Sequence, residues 1–109
     1  MSARVLEALS AVLNYGDEHK LCRCCGFDYV HIEAIAVKQG GKITTISSKR
    51  VVTSKCPNNR RGSDVAIEYR CEQGCSFVEV VSFHKGNVFE VCVEFDRNRN
   101  EPIDELWRD

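Results

Sequence analysis

Cys22-Arg23-Cys24-Cys25-Gly26 and Cys71-Glu72-Gln73-Gly74-Cys75 are the two stretches whose reading decides the fold. In the first, Cys22 and Cys25 form a C-x-x-C followed by glycine. That is a tight turn aiming two thiolates at one point, with Gly26 free to take the positive φ the turn needs. The second pair is one residue longer, C-x-x-x-C, with Gly74 inside the turn. Thiolates from two such turns complete the tetrahedral shell of a structural zinc site. The expected ligands of Zn2+ are therefore Cys22, Cys25, Cys71 and Cys75. Cys24 could replace a first-turn ligand only through a strained C-x-C or C-C pair, and His19, three residues before Cys22, is a further substitute. Cys56 reads as incidental. Cys92, flanked by Glu90 and Glu94 on its face, reads as a small half-buried or exposed thiol rather than a ligand.

The chain around these turns has 109 residues, 43% hydrophobic and 28% charged, which is the length and composition of one soluble domain. A chain of this size buries roughly two-thirds of its unfolded surface, so its core is modest and a bound ion would supply much of the stability. Seven cysteines is an odd number, so at least one has no intramolecular disulfide partner. Arg4, Glu7 and Ser10 interrupt the apolar residues at the N-terminus, which argues against a secretory signal, and no stretch approaches the ~20 apolar residues of a membrane span. Together these point to a reducing, cytoplasmic setting in which clustered thiols bind metal rather than one another.

Outward from the cysteine turns, Val5, Leu6, Leu9, Val12 and Leu13 share one helical face and predict a helix over 3–15, capped by Ser2 and stopped by Gly16. Its apolar stripe suits packing against its own domain or a partner. Val, Ile and Tyr residues from Phe27 to Lys38 predict a strand, Gly40-Gly41 a hairpin turn, and Lys42 to Ser47 the returning strand. A long loop is expected from about Ser48 to Asp64. Val65, Ile67, Tyr69 and Cys71 alternate with Ala66, Glu68 and Arg70 as a third, half-buried strand. Phe77 to Phe83 and Val88 to Phe95 form a hairpin through His84-Lys85-Gly86-Asn87, with Phe89, Val91, Val93 and Phe95 as the core face of the last strand. The tail is polar up to Glu101, after which Pro102 opens a possible helical turn aligning Ile103, Leu106 and Trp107.

The layout of two cysteine turns, with β-hairpins after each, resembles a zinc ribbon. More broadly, residues 22–95 resemble small zinc-ribbon proteins of bacteria and their phages. Cys22-x-x-Cys25-Gly26 carries most of this resemblance. The ribbon turn usually reads C-P-x-C-G and occurs twice, whereas here Arg23 replaces the proline and no glycine follows Cys75. The resemblance implies a fold and a binding role and names no substrate, since ribbons serve many functions. The expected architecture is α+β: an N-terminal helix followed by a zinc-ribbon-like antiparallel β domain of about five strands, with 1–96 as one zinc-stabilised domain and 97–109 as a polar tail.

Charge is unevenly spread along this frame. Lys38, Lys42, Lys49, Arg50, Lys55, Arg60 and Arg61 fall between Lys38 and Ser63 with no acidic residue among them, while the remaining chain has eight basic and sixteen acidic residues. A hairpin and loop so charged suit the phosphate backbone of DNA or RNA, although a solvated loop balanced by the acidic remainder gives the same composition. Few aromatics interleave these residues, so base stacking is not expected here. A different class of function, a protein-binding adaptor or inhibitor, would use helix 2–15, the charged faces or the tail 97–109. Catalysis is not expected. His31-Ile32-Glu33 is an H-x-E, as zinc nucleobase deaminases use, but Arg70 precedes a C-x-x-x-C where those enzymes have P-C-x-x-C. A shell of four thiolates would also leave no coordination position for water.

Overall fold

A computed structural model describes residues 3–11, 19–56, 62–95 and 102–106. The chain is α+β: among the described residues one helix, α1 (Ala3–Ala11), is followed by β1 (Val30–Gln39), β2 (Lys42–Ser47), β3 (Val51–Lys55), β4 (Ser63–Cys71), β5 (Ser76–His84) and β6 (Asn87–Glu94). All six strands join one antiparallel sheet in the order β3-β2-β1-β4-β5-β6. Each half of the chain is a three-stranded meander. The halves meet where β1 and β4 run antiparallel from Val30 opposite Cys71 to Lys38 opposite Asp64.

The hairpin turns fall where the sequence places them. Between β5 and β6, Lys85 and Gly86 both adopt positive φ, 53° and 81°, the two-residue turn whose twist matches that of the flanking strands. The sheet has one strand more than expected. The stretch read as a long loop from Ser48 to Asp64 contains β3, which pairs with β2 from Lys42 opposite Lys55 to Ile46 opposite Val51. All five residues of β3 are exposed, so no alternation of buried and wet positions marks the strand in the sequence. It forms because the outer edge of β2 is open to pair with it.

Strand β6 lacks the buried face expected of it: seven of its eight residues are exposed and only Cys92 is half-buried. Phe89, Val91, Val93 and Phe95 are 43–56% exposed, whereas Cys92 packs against the buried cluster. Register explains this. Glu79 pairs with Cys92 and also shares the face of Phe77, so Cys92 lies on the side where both cysteine turns sit. Among the described residues nothing comparable covers the opposite side. That buried cluster is Cys22, Cys71, Cys75 and Phe77, with Cys24, Phe27, Val30, Tyr69 and Cys92 packed against it. The Tyr69 and Phe77 rings stack at 4.9 Å. The centre of the fold thus lies at one end of the sheet and is built largely of sulfur.

Two further details depart from the sequence reading. Helix α1 carries its stripe of Val5, Leu6 and Leu9, yet none of its residues is buried and it packs against none of the strands. Residues 12–15 and the capping positions Ser2 and Gly16 lie outside the described residues. At the other terminus, residues 102–106 form no helical turn. Instead the Leu106 N–H donates to the Ile32 carbonyl at 2.7 Å. Strand β2 ends opposite Ala34, so among the described residues no strand lies beside β1 on that side before that point, and the tail supplies a partner for the Ile32 carbonyl there. Trp107 lies outside the described residues.

On the side of the sheet away from the cysteine turns, Arg70 is 2% exposed, although alternation assigns it to a wet face. Its Nη1 lies 3.7 Å from Oε2 of Glu33, at the β-bulge between Ile32 and Ala34. The same Glu33 oxygen accepts a 3.1 Å hydrogen bond from the Asp104 N–H. Bulge and tail together bury the guanidinium. No helix described is long and apolar enough to cross a membrane.

Candidate metal centre

Each cysteine turn is closed by its own backbone. In the first, the Gly26 N–H donates to the Cys22 carbonyl at 2.9 Å and the Cys22 N–H to the Phe27 carbonyl at 2.8 Å. In the second, the Cys71 N–H donates to the Cys75 carbonyl at 2.9 Å and the Gly74 N–H to the Cys71 carbonyl at 3.0 Å. Gly26 and Gly74 hold φ of 79° and 93°, which a side chain would strain. The sheet then brings the turns together. The first leads into β1, the second joins β4 to β5, and the opening pair of the β1–β4 ladder, Val30 with Cys71, sets them side by side. A direct bond, Glu72 N–H to the Tyr29 carbonyl at 3.3 Å, ties the two segments.

The result is a cluster of Cys22, Cys25, Cys71 and Cys75 whose four Sγ atoms all lie within 4.8 Å of one another. Cys25 Sγ and Cys71 Sγ are 3.6 Å apart. A tetrahedron with zinc–sulfur arms of ~2.3 Å has edges of ~3.8 Å, so the cluster is of the size that could hold a metal ion. Cys22, Cys71 and Cys75 are buried and Cys25 is exposed, so the cluster sits just under the surface. Backbone N–H groups also point at the sulfurs, Cys24 N to Cys22 Sγ at 3.4 Å and Gln73 N to Cys71 Sγ at 3.3 Å. Such donors favour thiolate over thiol.

The thiols differ in acidity. Burial works to raise Cys22, but donation from the Cys25 and Cys24 backbone and from the Cys25 and Cys71 thiols outweighs it and holds the group at about 7. Burial pushes Cys71 and Cys75 up to about 12, and their hydrogen bonds with the Cys25 and Cys22 sulfurs add to the rise. Without a cation, one thiolate in so small a space discourages the next. A divalent ion reverses that logic by stabilising all four.

The alternative ligands sit apart from this group. Cys24 packs beside the cluster without joining it, its thiol raised to about 11 chiefly by burial and then by the negative charge of Glu94. His19 faces Asp28 at 3.9 Å on an exposed surface. Cys56, read as incidental, is buried at the β1–β2 turn, its N–H donating to the Gly41 carbonyl at 2.8 Å. Above the cluster, Lys20 Nζ contacts Glu79 Oε1 at 2.5 Å and lies 5.4 Å from the centre of the Tyr69 ring, which pins the entry to the first turn onto the sheet.

His31 and Glu33 of the H-x-E stretch hold structural partners. The His31 ring lies between Glu72 and Glu105, with Nε2 3.0 Å from Glu72 and Nδ1 against Glu105, and Glu33 faces Arg70. Neither belongs to the sulfur cluster.

The basic residues divide. Lys38 is 7% exposed and faces Asp64 at 3.7 Å, unlike the other described members of the set. Lys42 and Lys55 stand directly opposite each other at one end of the β2–β3 hairpin, and Lys49 and Arg50 lie at the turn at its other end; all four are exposed. Arg60 and Arg61 lie outside the described residues. No known protein family, curated protein or solved structure matches the chain.

Proposed function

We propose that the protein is a small, non-catalytic zinc protein of the cytoplasm that binds nucleic acid through the phosphate backbone, with the β2–β3 hairpin as the contact surface. Zinc is the ion that four thiolates in a closed shell select, because this donor set is soft and leaves no position open for water. The ion is structural and holds the two halves of the sheet together at one end.

One observation carries the binding role. Lys42 and Lys55 face each other across β2 and β3, and the described stretch Gln39–Cys56 contains four basic residues and no acidic one. Like charges directly opposite each other destabilise a strand pair, so the hairpin accepts a cost that a bound anion relieves. A groove of about 490 Å³ beside this pair is lined by Gly41, Lys42, Thr53, Ser54 and Lys55, which puts hydroxyls next to ammonium groups. Such groups position a phosphate and carry no base information, so the reading is one of sequence-tolerant binding.

Asp104 bears on the same surface. It accepts a 2.7 Å hydrogen bond from the Ser48 hydroxyl, next to Lys49 and Arg50. The tail thus sets a carboxylate beside the basic turn, where it competes with phosphate for that end of the hairpin.

The test is fluorescence anisotropy of labelled duplex and single-stranded oligonucleotides over a salt series. Affinity should fall steeply with salt. Replacing Lys42 and Lys55 with alanine should weaken all sequences alike and reduce the salt slope by about 1 for each lost phosphate contact. Binding that ignores salt, or that survives the double substitution unchanged, would remove the hairpin from the reading. The exposed stripe of α1 favours a second reading, an adaptor that docks the helix in a partner's groove. In that case nucleic-acid affinity is negligible and Leu6→Ala with Leu9→Ala abolishes capture of a stoichiometric protein partner.

A further inference from the structure

The sheet has two edge strands, β3 and β6, and they differ in kind. Strand β3 has five residues and ends in Lys55 beside Lys42, a charged edge of the sort that repels other strands. Strand β6 has eight residues, Asn87–Glu94, with neither lysine nor proline. Its Phe89, Val91 and Val93, with Phe95 just beyond, form an exposed apolar row on one face. Among the described residues no strand lies on its outer side.

The direction of the free backbone groups follows from the turn. The two-residue turn Lys85-Gly86 closes on the pair His84–Asn87, so hydrogen-bonded pairs recur at Ser82–Phe89, Val80–Val91 and Val78–Val93. The Phe95 N–H donating to the Ser76 carbonyl at 2.8 Å continues the series. Val88, Glu90, Cys92 and Glu94 therefore direct their N–H and C=O groups away from β5.

We infer that β6 pairs with β6 of a second copy of this chain, antiparallel and two-fold symmetric about Val91, to make one continuous sheet. A two-fold at Val91 pairs residues 88–94, nearly the whole strand, whereas one at Phe89 or Val93 pairs fewer, and side-chain charge disfavours the two adjacent positions. A two-fold at Glu90 sets that carboxylate against its own copy, and one at Cys92 sets Glu90 against Glu94 of the second copy. At Val91, Glu90 faces Cys92 of the second copy and Glu94 faces its Val88. These are the residues whose backbone groups point outward, so the ladder closes with donors opposite acceptors. On the other face Phe89 meets Val93 of the second copy and Val91 meets Val91, merging two exposed apolar rows into one. The pairing is isologous and uses up both β6 edges, so it stops at a dimer. The β2–β3 hairpins are left at the two far ends, and the inference stands whether or not they bind nucleic acid.

Sedimentation velocity on the full metal-loaded chain over a concentration series of roughly 1–500 μM tests the pairing, since a dimer populates by mass action. A shift from monomer to dimer is expected. Val91→Lys places two ammonium groups on the two-fold and should hold the chain monomeric. Should that variant lose its circular dichroism, Glu90→Pro serves instead, because its lost N–H points outward and an isolated edge strand tolerates proline there. Register is read by cross-linking under oxidised glutathione, with the unsubstituted chain alongside. Val91→Cys should give a disulfide-linked dimer, identified by the mass of its linked peptide, because a non-hydrogen-bonded antiparallel pair holds Cα atoms ~4.5 Å apart. Val93→Cys should not. A monomer throughout the series, a dimer indifferent to both edge substitutions, or equal cross-linking from positions 91 and 93 would each overturn the inference.

Discussion

Cys25 Sγ lies 3.6 Å from Cys71 Sγ, although the residues are 46 positions apart and belong to different halves of the chain. The contact lies beside the Val30–Cys71 pair and the Glu72 N–H to Tyr29 carbonyl bond, which join the two meanders at that end of the sheet. The buried set is four sulfurs and one ring: Cys22, Cys56, Cys71, Cys75 and Phe77 are the buried hydrophobic residues among those described. A fully buried side chain contributes about 1.5–3 kcal/mol, so this set is small for a sheet of six strands, and an ion held by the four sulfurs would add to its stability.

Chelation should therefore unfold the chain. Purified protein is expected to hold one zinc per chain by elemental analysis, and its removal should abolish the cooperative thermal transition. Cys71→Ser, at a position 1% exposed, should do the same, a loss on the order of 5 kcal/mol or more. Cys92→Ser alters a half-buried packing residue outside the cluster and should cost about 1 kcal/mol or less. Equal losses for the two substitutions would place the sulfur cluster outside any metal site.

Zinc affinity should weaken as pH falls. Cys71 and Cys75 are held at about 12 and so carry protons throughout the neutral range until a metal displaces them. Cys22, at about 7, joins them as pH drops through neutrality. Lower pH thus adds protons that binding must expel. Competition titrations should show log K rising with pH at a slope of at least about 2 near pH 8 and more steeply below 7.

Phe77 has no exposed surface and stacks on Tyr69, which makes it the main hydrocarbon anchor beside the sulfurs. Phe77→Ala should cost about 3–5 kcal/mol in urea unfolding of the loaded protein. A loss below about 1 kcal/mol would show that the sulfur cluster alone orders that end of the sheet.

Arg70 and Glu33 form the opposite case, a charged pair under the C-terminal tail. Glu33→Ala removes a carboxylate that faces a buried guanidinium and should destabilise by about 2–4 kcal/mol. Adding Arg70→Met removes the buried charge and should recover part of that loss. Chemical unfolding of the two single variants and the double reads the coupling directly.

Lys38 and Asp104 separate the proposed binding surface from its surroundings. Lys38→Ala should lower stability, since it leaves Asp64 short of a partner, while nucleic-acid affinity stays unchanged. Asp104→Asn keeps a side-chain acceptor for Ser48 but removes the negative charge beside the basic turn, and should tighten oligonucleotide binding severalfold at low salt. Anisotropy measured beside thermal melts distinguishes the two effects.

The amino-acid order determined what is local. Spacing within the two turns, with Gly26 and Gly74 to relieve them, specified which four sulfurs point together, and the Gly40-Gly41 and Lys85-Gly86 turns specified two hairpins. Tertiary structure decided what depends on partners far along the chain. Alternation in β6 was plain in the sequence, but which face is covered was not, because register with β5 and the position of the cysteine turns put Cys92 inward and Val91 outward. Strand β3 exists because β2 offers it an edge, and Lys38 is buried because β4 sets Asp64 against it. A side chain's own period of two tells neighbouring residues apart. Only the strand beside it determines which of the two is inside.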